Sequence, residues 1–326
     1  MKTTKQWHSR ILLLLTLWVL VCSSGATCIR RNNVSEFAPP VLFNAPPTIQ
    51  QLSDALNRSR EIRELQSNTV SIRMEGVPAL QHSSLFWQRQ KNFRLRAGVT
   101  SFTGTDFDLG SNDQVFWMAV RQGVTPDLFY ASHEQFDQQL QRQELPVSPL
   151  WLVEALGIIE LDPYALAENP QMRADGMVEL TTMVPLPAGT FVRTVVVDPK
   201  YGTVKQVMLR DPTRKLLASS QMSQHQYYSS VQYSLPHQVQ IQLIPTGKPP
   251  LNMVIDIGHY MVNSTEGTDP TRYVMPDLRG YNAVDLIQLG RGSSYGAAPM
   301  VPAYPPQNAA APAVSYRGFE APTLFR

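Results

Sequence analysis

The side chains able to do chemistry are few and scattered. The six histidines are His8, His82, His133, His225, His237 and His259. They share no i, i+2 or i, i+4 spacing, so no strand or helix face offers two imidazoles to one metal ion. There is no HExxH, no glycine-rich phosphate loop and no carboxylate pair with an evident acid–base role. Two cysteines, Cys22 and Cys28, are too few for a disulfide scaffold or a thiolate-held zinc or iron–sulfur centre. Gly292-Ser293-Ser294-Tyr295-Gly296 matches the nucleophile-elbow pattern. That elbow needs a strand before it and a helix after it, and here a Pro- and Ala-rich run follows. Asn33-Val34-Ser35, Asn57-Arg58-Ser59 and Asn263-Ser264-Thr265 fit the N-glycosylation pattern, which matters only in a eukaryotic secretory path. The expectation is a protein that is not an enzyme, with no cofactor and no metal.

Composition narrows the partners. Of 326 residues, 17% are charged, low against a typical value of about 25%. Twenty-eight basic and 26 acidic residues leave a net charge of +2, too little for the broad field that gathers nucleic acid. Glutamine, asparagine, serine and threonine take many of the wet positions instead.

The N-terminus has the layout of an export signal. Lys2, Lys5 and Arg10 precede an apolar run of about eleven residues from Ile11 to Val21, too short for a stable membrane span. Two processing readings stand side by side. Ser24-Gly25-Ala26 suits cleavage after Ala26, giving a signal peptide of residues 1–27 or slightly less. Alternatively Cys28 is lipidated and becomes the mature N-terminus, anchoring the chain to a membrane. The likeness to a bacterial lipobox is partial, since Gly25 and Thr27 stand where leucine and a small residue are usual. Either cut leaves Cys28 as the one cysteine of the mature chain, and a lone thiol in an oxidising compartment favours modification. Residues 28–46, with Pro39-Pro40 and Pro46, read as a tether. Residues 290–326, rich in proline and alanine with no apolar period, read as a disordered tail.

Residues 47–289 form the expected domain. Thr48 with Gln51 is a capping-box pair. Ile49, Leu52, Leu56, Ile62 and Leu65 continue near helical spacing, so a helix is expected to about Ser67-Asn68. The period then changes to two. Strands are expected around Val70–Met74, Phe93–Leu95, Gln114–Val120 and Leu128–Ala131. Others follow at Val178–Val184, Phe191–Val197, Thr203–Arg210, Lys215–Tyr228, Val239–Leu243 and Leu251–Val262. Short turns such as Asp198-Pro199-Lys200-Tyr201-Gly202 separate them, as in an antiparallel meander. Helical segments at Glu134–Arg142 and Pro149–Gly157 interrupt it. The fold class is therefore mainly β with α (α+β). About ten strands form one strongly curved antiparallel sheet, with a few helices on its concave face.

The order of several motifs resembles the LolA/LolB-like superfamily of bacterial lipoprotein carriers and acceptors. Leu85-Phe86-Trp87-Gln88-Arg89-Gln90-Lys91-Asn92-Phe93-Arg94-Leu95 is similar to its aromatic strand, basic turn and following phenylalanine. Gln90 stands where the family usually has proline. Asp108 to Trp117, Tyr201 to Val207, Tyr273 to Gly280 and Val284-Asp285-Leu286 follow in the family's order. The resemblance implies an unclosed half-barrel whose helices lid a hydrophobic cavity for acyl chains of lipids or lipoproteins, in the periplasm or on the periplasmic face of the outer membrane. It implies Trp87, Phe93, Leu95, Phe116, Trp117, Met118 and Trp151 as cavity lining. Arg89 becomes a contact to the lid backbone or to a cargo head group. The residues alone, without the resemblance, read more simply as a solid core and a solvated arginine. By analogy with the aromatic strand, Trp117 is expected to look inward and Phe116 to pack differently.

Overall fold

The computed structural model describes residues 37–290, except 90, 101–104, 122–124, 139–145, 149, 246 and 265–268. The expected signal segment, Cys28, the tail beyond Gly290 and the Gly292–Gly296 motif lie outside the described residues.

Helix α1 (Ile49–Asn57) starts where the capping box places it. Thr48 Oγ1 accepts from the Gln51 N–H at 3.2 Å, and Gln51 Oε1 accepts from the Thr48 N–H at 2.9 Å. Its buried face is Leu52, Ser53, Ala55 and Leu56. The helix does not run to Ser67-Asn68. A 3-10 turn, Arg58–Glu61, follows Asn57, and the chain enters strand β1 (Glu64–Met74). Two interactions overrule the helical spacing. The Asn57 amide closes the helix by pairing with both the carbonyl and the N–H of Leu161, at 2.8 Å each. Beyond it, β1 has a partner on both edges, a full ladder that a longer helix would forfeit.

The strands are β2 (Val77–Gln88), β3 (Asn92–Gly98), β4 (Phe107–Ser111), β5 (Val115–Val120), β6 (Asp127–Ser132), β7 (Gln171–Met172) and β8 (Val178–Leu186). After them come β9 (Gly189–Asp198), β10 (Thr203–Arg210), β11 (Leu216–Tyr228), β12 (Tyr233–Leu243), β13 (Leu251–Ile257), β14 (Met261–Val262) and β15 (Asn282–Asp285). They form one fifteen-stranded sheet in the order β15-β6-β5-β4-β3-β2-β1-β13-β12-β11-β10-β9-β8-β7, with β14 also on β1. Every pairing is antiparallel except β15 on β6. The end strands do not meet, so this is an unclosed, curved half-barrel, with more strands than the ten expected. One expected strand, Leu251–Val262, divides into β13 and β14 at Gly258. The backbone there presses on Thr69, and a β-carbon would stand 2.9 Å from its Oγ1.

The remaining helices are α2 (His133–Gln138), α3 (Trp151–Ala155) and α4 (Leu286–Gly290). Helices α2 and α4 pack on β6, and α3 packs on β10 and β11. Part of the expected tether is docked. The N–H groups of Leu42 and Phe43 donate to Lys200 O at 3.0 and 3.2 Å, and Phe37 O accepts from the Tyr227 N–H at 2.8 Å. The main core lies between the concave face and the helices. A second, small apolar cluster lies on the convex side of β5 and β6, under the closing segment that leads to β15.

Candidate functional site

Cross-strand register builds the concave face. One row runs Leu65–Trp87–Phe93–Ser111–Phe116–Ala131 across β1 to β6. The next runs Ser67–Leu85–Leu95–Leu109–Met118–Phe129. These side chains belong to the main core, joined by Leu52 and Leu56 of α1, Phe136 of α2 and Trp151 of α3. The Phe116 ring meets Phe136 edge-on with centroids 4.9 Å apart. Trp87, Phe93, Leu95, Phe116, Met118 and Trp151 therefore share one layer between sheet and helices.

Trp117 does not. It sits on the intervening convex row, Gln66–Phe86–Arg94–Gly110–Trp117–Tyr130. The expected faces of Phe116 and Trp117 are thus exchanged. The reason is steric and electrostatic. The Trp117 ring lies on Gly110, where a β-carbon would collide with it. Arg94 stands over the ring at 5.6 Å, and Met275, Leu278 and Tyr281 of the closing segment cover the cluster. Beneath that segment Arg94 grips Asp108 with both prongs, Nε to Oδ1 at 2.9 Å and Nη2 to Oδ2 at 2.6 Å, and donates from Nη1 to Arg272 O at 2.6 Å. Arg272 in turn lies 4.2 Å over the Phe86 ring. Trp117 is a clasp for the convex strap.

The layer is held shut at its polar rim. Arg89, at the end of β2, donates to Ile62 O at 3.1 Å and Ser59 O at 3.3 Å, and pairs with Glu160 at 2.9 Å. Arg60 meets the same carboxylate at 3.1 Å. Ser59 Oγ donates to Ile159 O at 2.7 Å, Tyr233 OH to Gly157 O at 2.6 Å, and Arg193 pairs with Glu154 at 2.9 Å. These bonds tie the segment from α3 to Leu161 to α1 and to the second half of the sheet. Glu154, Glu160 and Arg193 were invisible to sequence reasoning, because no local spacing links them to Arg89. A polar groove of about 710 Å³ opens beside this rim, lined by Arg60, Arg63, Arg89, Ser230 and Asn263 among others.

Polar groups inside the layer are sparse. His133 Nε2 lies 2.9 Å from Asn112 O and 3.2 Å from Ser111 Oγ. Burial, more than any neighbouring charge, pushes its pKa down, so the ring is neutral. Among the described residues no group of three or more His, Cys, Asp or Glu side chains could hold a metal, and no helix is long and apolar enough to cross a membrane. Two of the three glycosylation-pattern asparagines are engaged in the fold. Asn57 pairs with Leu161, while Asn263 accepts from the Arg63 and Glu64 N–H groups at 2.7 and 3.1 Å and donates to Glu61 O at 2.7 Å.

The described residues thus form a half-barrel with helices on its concave face. No protein-family model and no curated protein matches the sequence. Solved structures do resemble the fold. One is an outer membrane lipoprotein-sorting protein domain from Vibrio parahaemolyticus, 8% identical, covering 68% of this chain and 97% of that one with a TM-score of 0.42. Another is a LolA superfamily protein from Nitrosomonas europaea, 12% identical, covering 70% and 98% with a TM-score of 0.40. A third is a DUF1329 family protein from Desulfovibrio piger, 12% identical, covering 69% and 95% with a TM-score of 0.41. The second bears the superfamily name that the motif order suggests. A likeness at this level carries no argument about ligand, partner or residue roles.

Proposed function

We propose that this is an exported, non-catalytic binding protein of the cell envelope. It is anchored to a membrane through a lipid on Cys28 and holds acyl chains of a lipid or lipoprotein against the concave face of its half-barrel. The observation that carries this reading is the pair of apolar rows spanning β1 to β6, faced by short helices and closed at a polar rim. An acyl chain laid along such rows gains about 0.8 kcal/mol per methylene, so about sixteen carbons supply about 12 kcal/mol before the cost of ordering. Entry requires the α3–Leu161 segment to lift. The latch that opposes it is weak where it meets water: the Arg89 and Glu160 side chains are 30% and 47% exposed, and pairs of that kind contribute about 1 kcal/mol or less.

A second reading is favoured by a specific observation. Trp87, Phe93, Leu95 and Phe116 are only 1–3% exposed, which suits a filled core and an envelope protein acting through its surface. Mass spectrometry of lipid extracted from protein purified from cells separates the two. The acyl-binding reading expects about one equivalent of acylated lipid; lipid-free protein that binds no added acyl probe leaves the filled-core reading. For the anchor, Cys28→Ser should move the protein from the membrane to the soluble fraction, and unchanged partition removes the anchor.

A further inference from the structure

Among the buried polar atoms without a partner among the described residues are Trp87 Nε1, in the row nearest the rim, and His133 Nδ1, on α2 beside that row's Ser111. Trp87 is 3% exposed and His133 5%, and a buried donor or acceptor left unpaired is unfavourable. Their roles are fixed. An indole N–H only donates. His133 Nε2 lies 2.9 Å from a backbone carbonyl, which only accepts, so Nε2 carries the proton and Nδ1 is an acceptor. Trp87 faces Phe93 and Phe93 faces Ser111, the hydroxyl beside His133, so the two sites stand two strands apart, about 10 Å.

Their place in the fold orders three chemistries. The row further in, Leu85–Leu95–Leu109–Met118, is wholly apolar. The groove further out, by Arg60, Arg63 and Arg89, is polar and open. Between the two, Trp87 of the middle row and His133 of α2 beside it offer one donor and one acceptor. We propose that this row is the subsite for the linkage of an acylated ligand. Trp87 Nε1–H donates to the carbonyl of an ester- or amide-linked chain, and His133 Nδ1 accepts from the hydroxyl or amide N–H beside it. The inner row takes the hydrocarbon, and the groove takes the hydrated remainder. The assignment rests on the acyl-binding reading and adds to it the chemical class of the ligand: an acyl carbonyl compound with a neighbouring hydrogen-bond donor, rather than a plain hydrocarbon or ether lipid.

Competition against a fluorescent acyl probe tests it, using 1-monopalmitoylglycerol and 1-O-hexadecylglycerol, which differ at the carbonyl alone. Wild-type protein should bind the ester about tenfold more tightly, the worth of one net hydrogen bond. Trp87→Phe should abolish the difference in affinity between ester and ether. In ¹⁵N-labelled wild type, the Trp87 indole resonance should move downfield with ester and not with ether, a readout independent of whether the variant folds. Equal affinity for ester and ether, or an ester preference that survives Trp87→Phe, overturns the linkage subsite while leaving acyl binding intact. Failure of both compounds and the probe to bind overturns the acyl-binding reading and this assignment with it.

Discussion

Replacing Trp117 by alanine should cost stability and spare ligand binding. The side chain is 0% exposed. An indole buries about 200 Å², and at about 25 cal/mol per Å² its loss removes about 5 kcal/mol as an upper bound. A compact denatured chain trims this to about 3–4 kcal/mol. Loss of the ring under Arg94, 5.6 Å away, and of the cover provided by Met275, Leu278 and Tyr281 adds to it. The expected destabilisation is therefore about 3–5 kcal/mol, read as a lower urea midpoint by circular dichroism with an unchanged slope. Limited proteolysis should find new cuts near Met275–Tyr281. Below the unfolding transition, affinity for an acyl probe should stay within about twofold, since one net contact is worth about tenfold. Phe116→Ala, by contrast, should weaken the probe. If Trp117→Ala loses the probe while costing under about 1 kcal/mol, the ring faces the ligand and the register argument fails.

Further outcomes follow from the same contacts. Arg94→Ala leaves Asp108 under the strap with only Arg96, 3.9 Å away, and should cost about 3 kcal/mol, whereas Arg94→Met with Asp108→Leu should cost far less or stabilise, as denaturation midpoints would show. Burial, then Lys205, pushes the His225 pKa down to about 4, and burial lowers that of His237. Both rings take protons more readily when unfolded, near pH 6.5, so stability is full above that pH and declines toward pH 4. For His225 the gap corresponds to about 3 kcal/mol, reduced to about 1–2 because the ring is partly exposed; a Tm that does not fall between pH 6.5 and 4.5, or an identical slope in His225→Gln, would contradict this. Asn57→Ala removes both bonds to Leu161 and should cost about 2 kcal/mol in chemical denaturation.

The sheet was legible because alternation and turn chemistry are local. Asp198 to Gly202 turns where its residues demand, and β8 to β11 fall close to the expected runs, whereas β12 starts at Tyr233, well before the expected Val239. The N-cap of α1 was legible for the same reason. Its end was not, because Ile62 and Leu65 continue a helical period, while the ladder that Leu65 joins pairs it with Val262 from the far end of the chain. The face of Trp117 was hidden likewise. Alternation says that Phe116 and Trp117 point apart, but only the position of Gly110, opposite in register, says which side accepts an indole. The rim joins Arg89 to Glu160 and Asn57 to Leu161, and such long-range pairs leave no spacing to read.

Strand β1 also sets a timetable. Its first edge pairs with β2, the next strand to be synthesised, but its second edge waits for β13 and β14. Thr69 meets the His259 N–H from 190 residues away. Until the chain is nearly complete, the first six strands present a bare ladder edge at β1, a template for pairing with another molecule. If the chain is exported as proposed, it emerges from the membrane with that edge open. Docking of β13 ends the exposure, and residues 270–285 cross the convex face to lay β15 on β6. The slowest refolding step should be this closure of the sheet at its middle, as expected for high contact order.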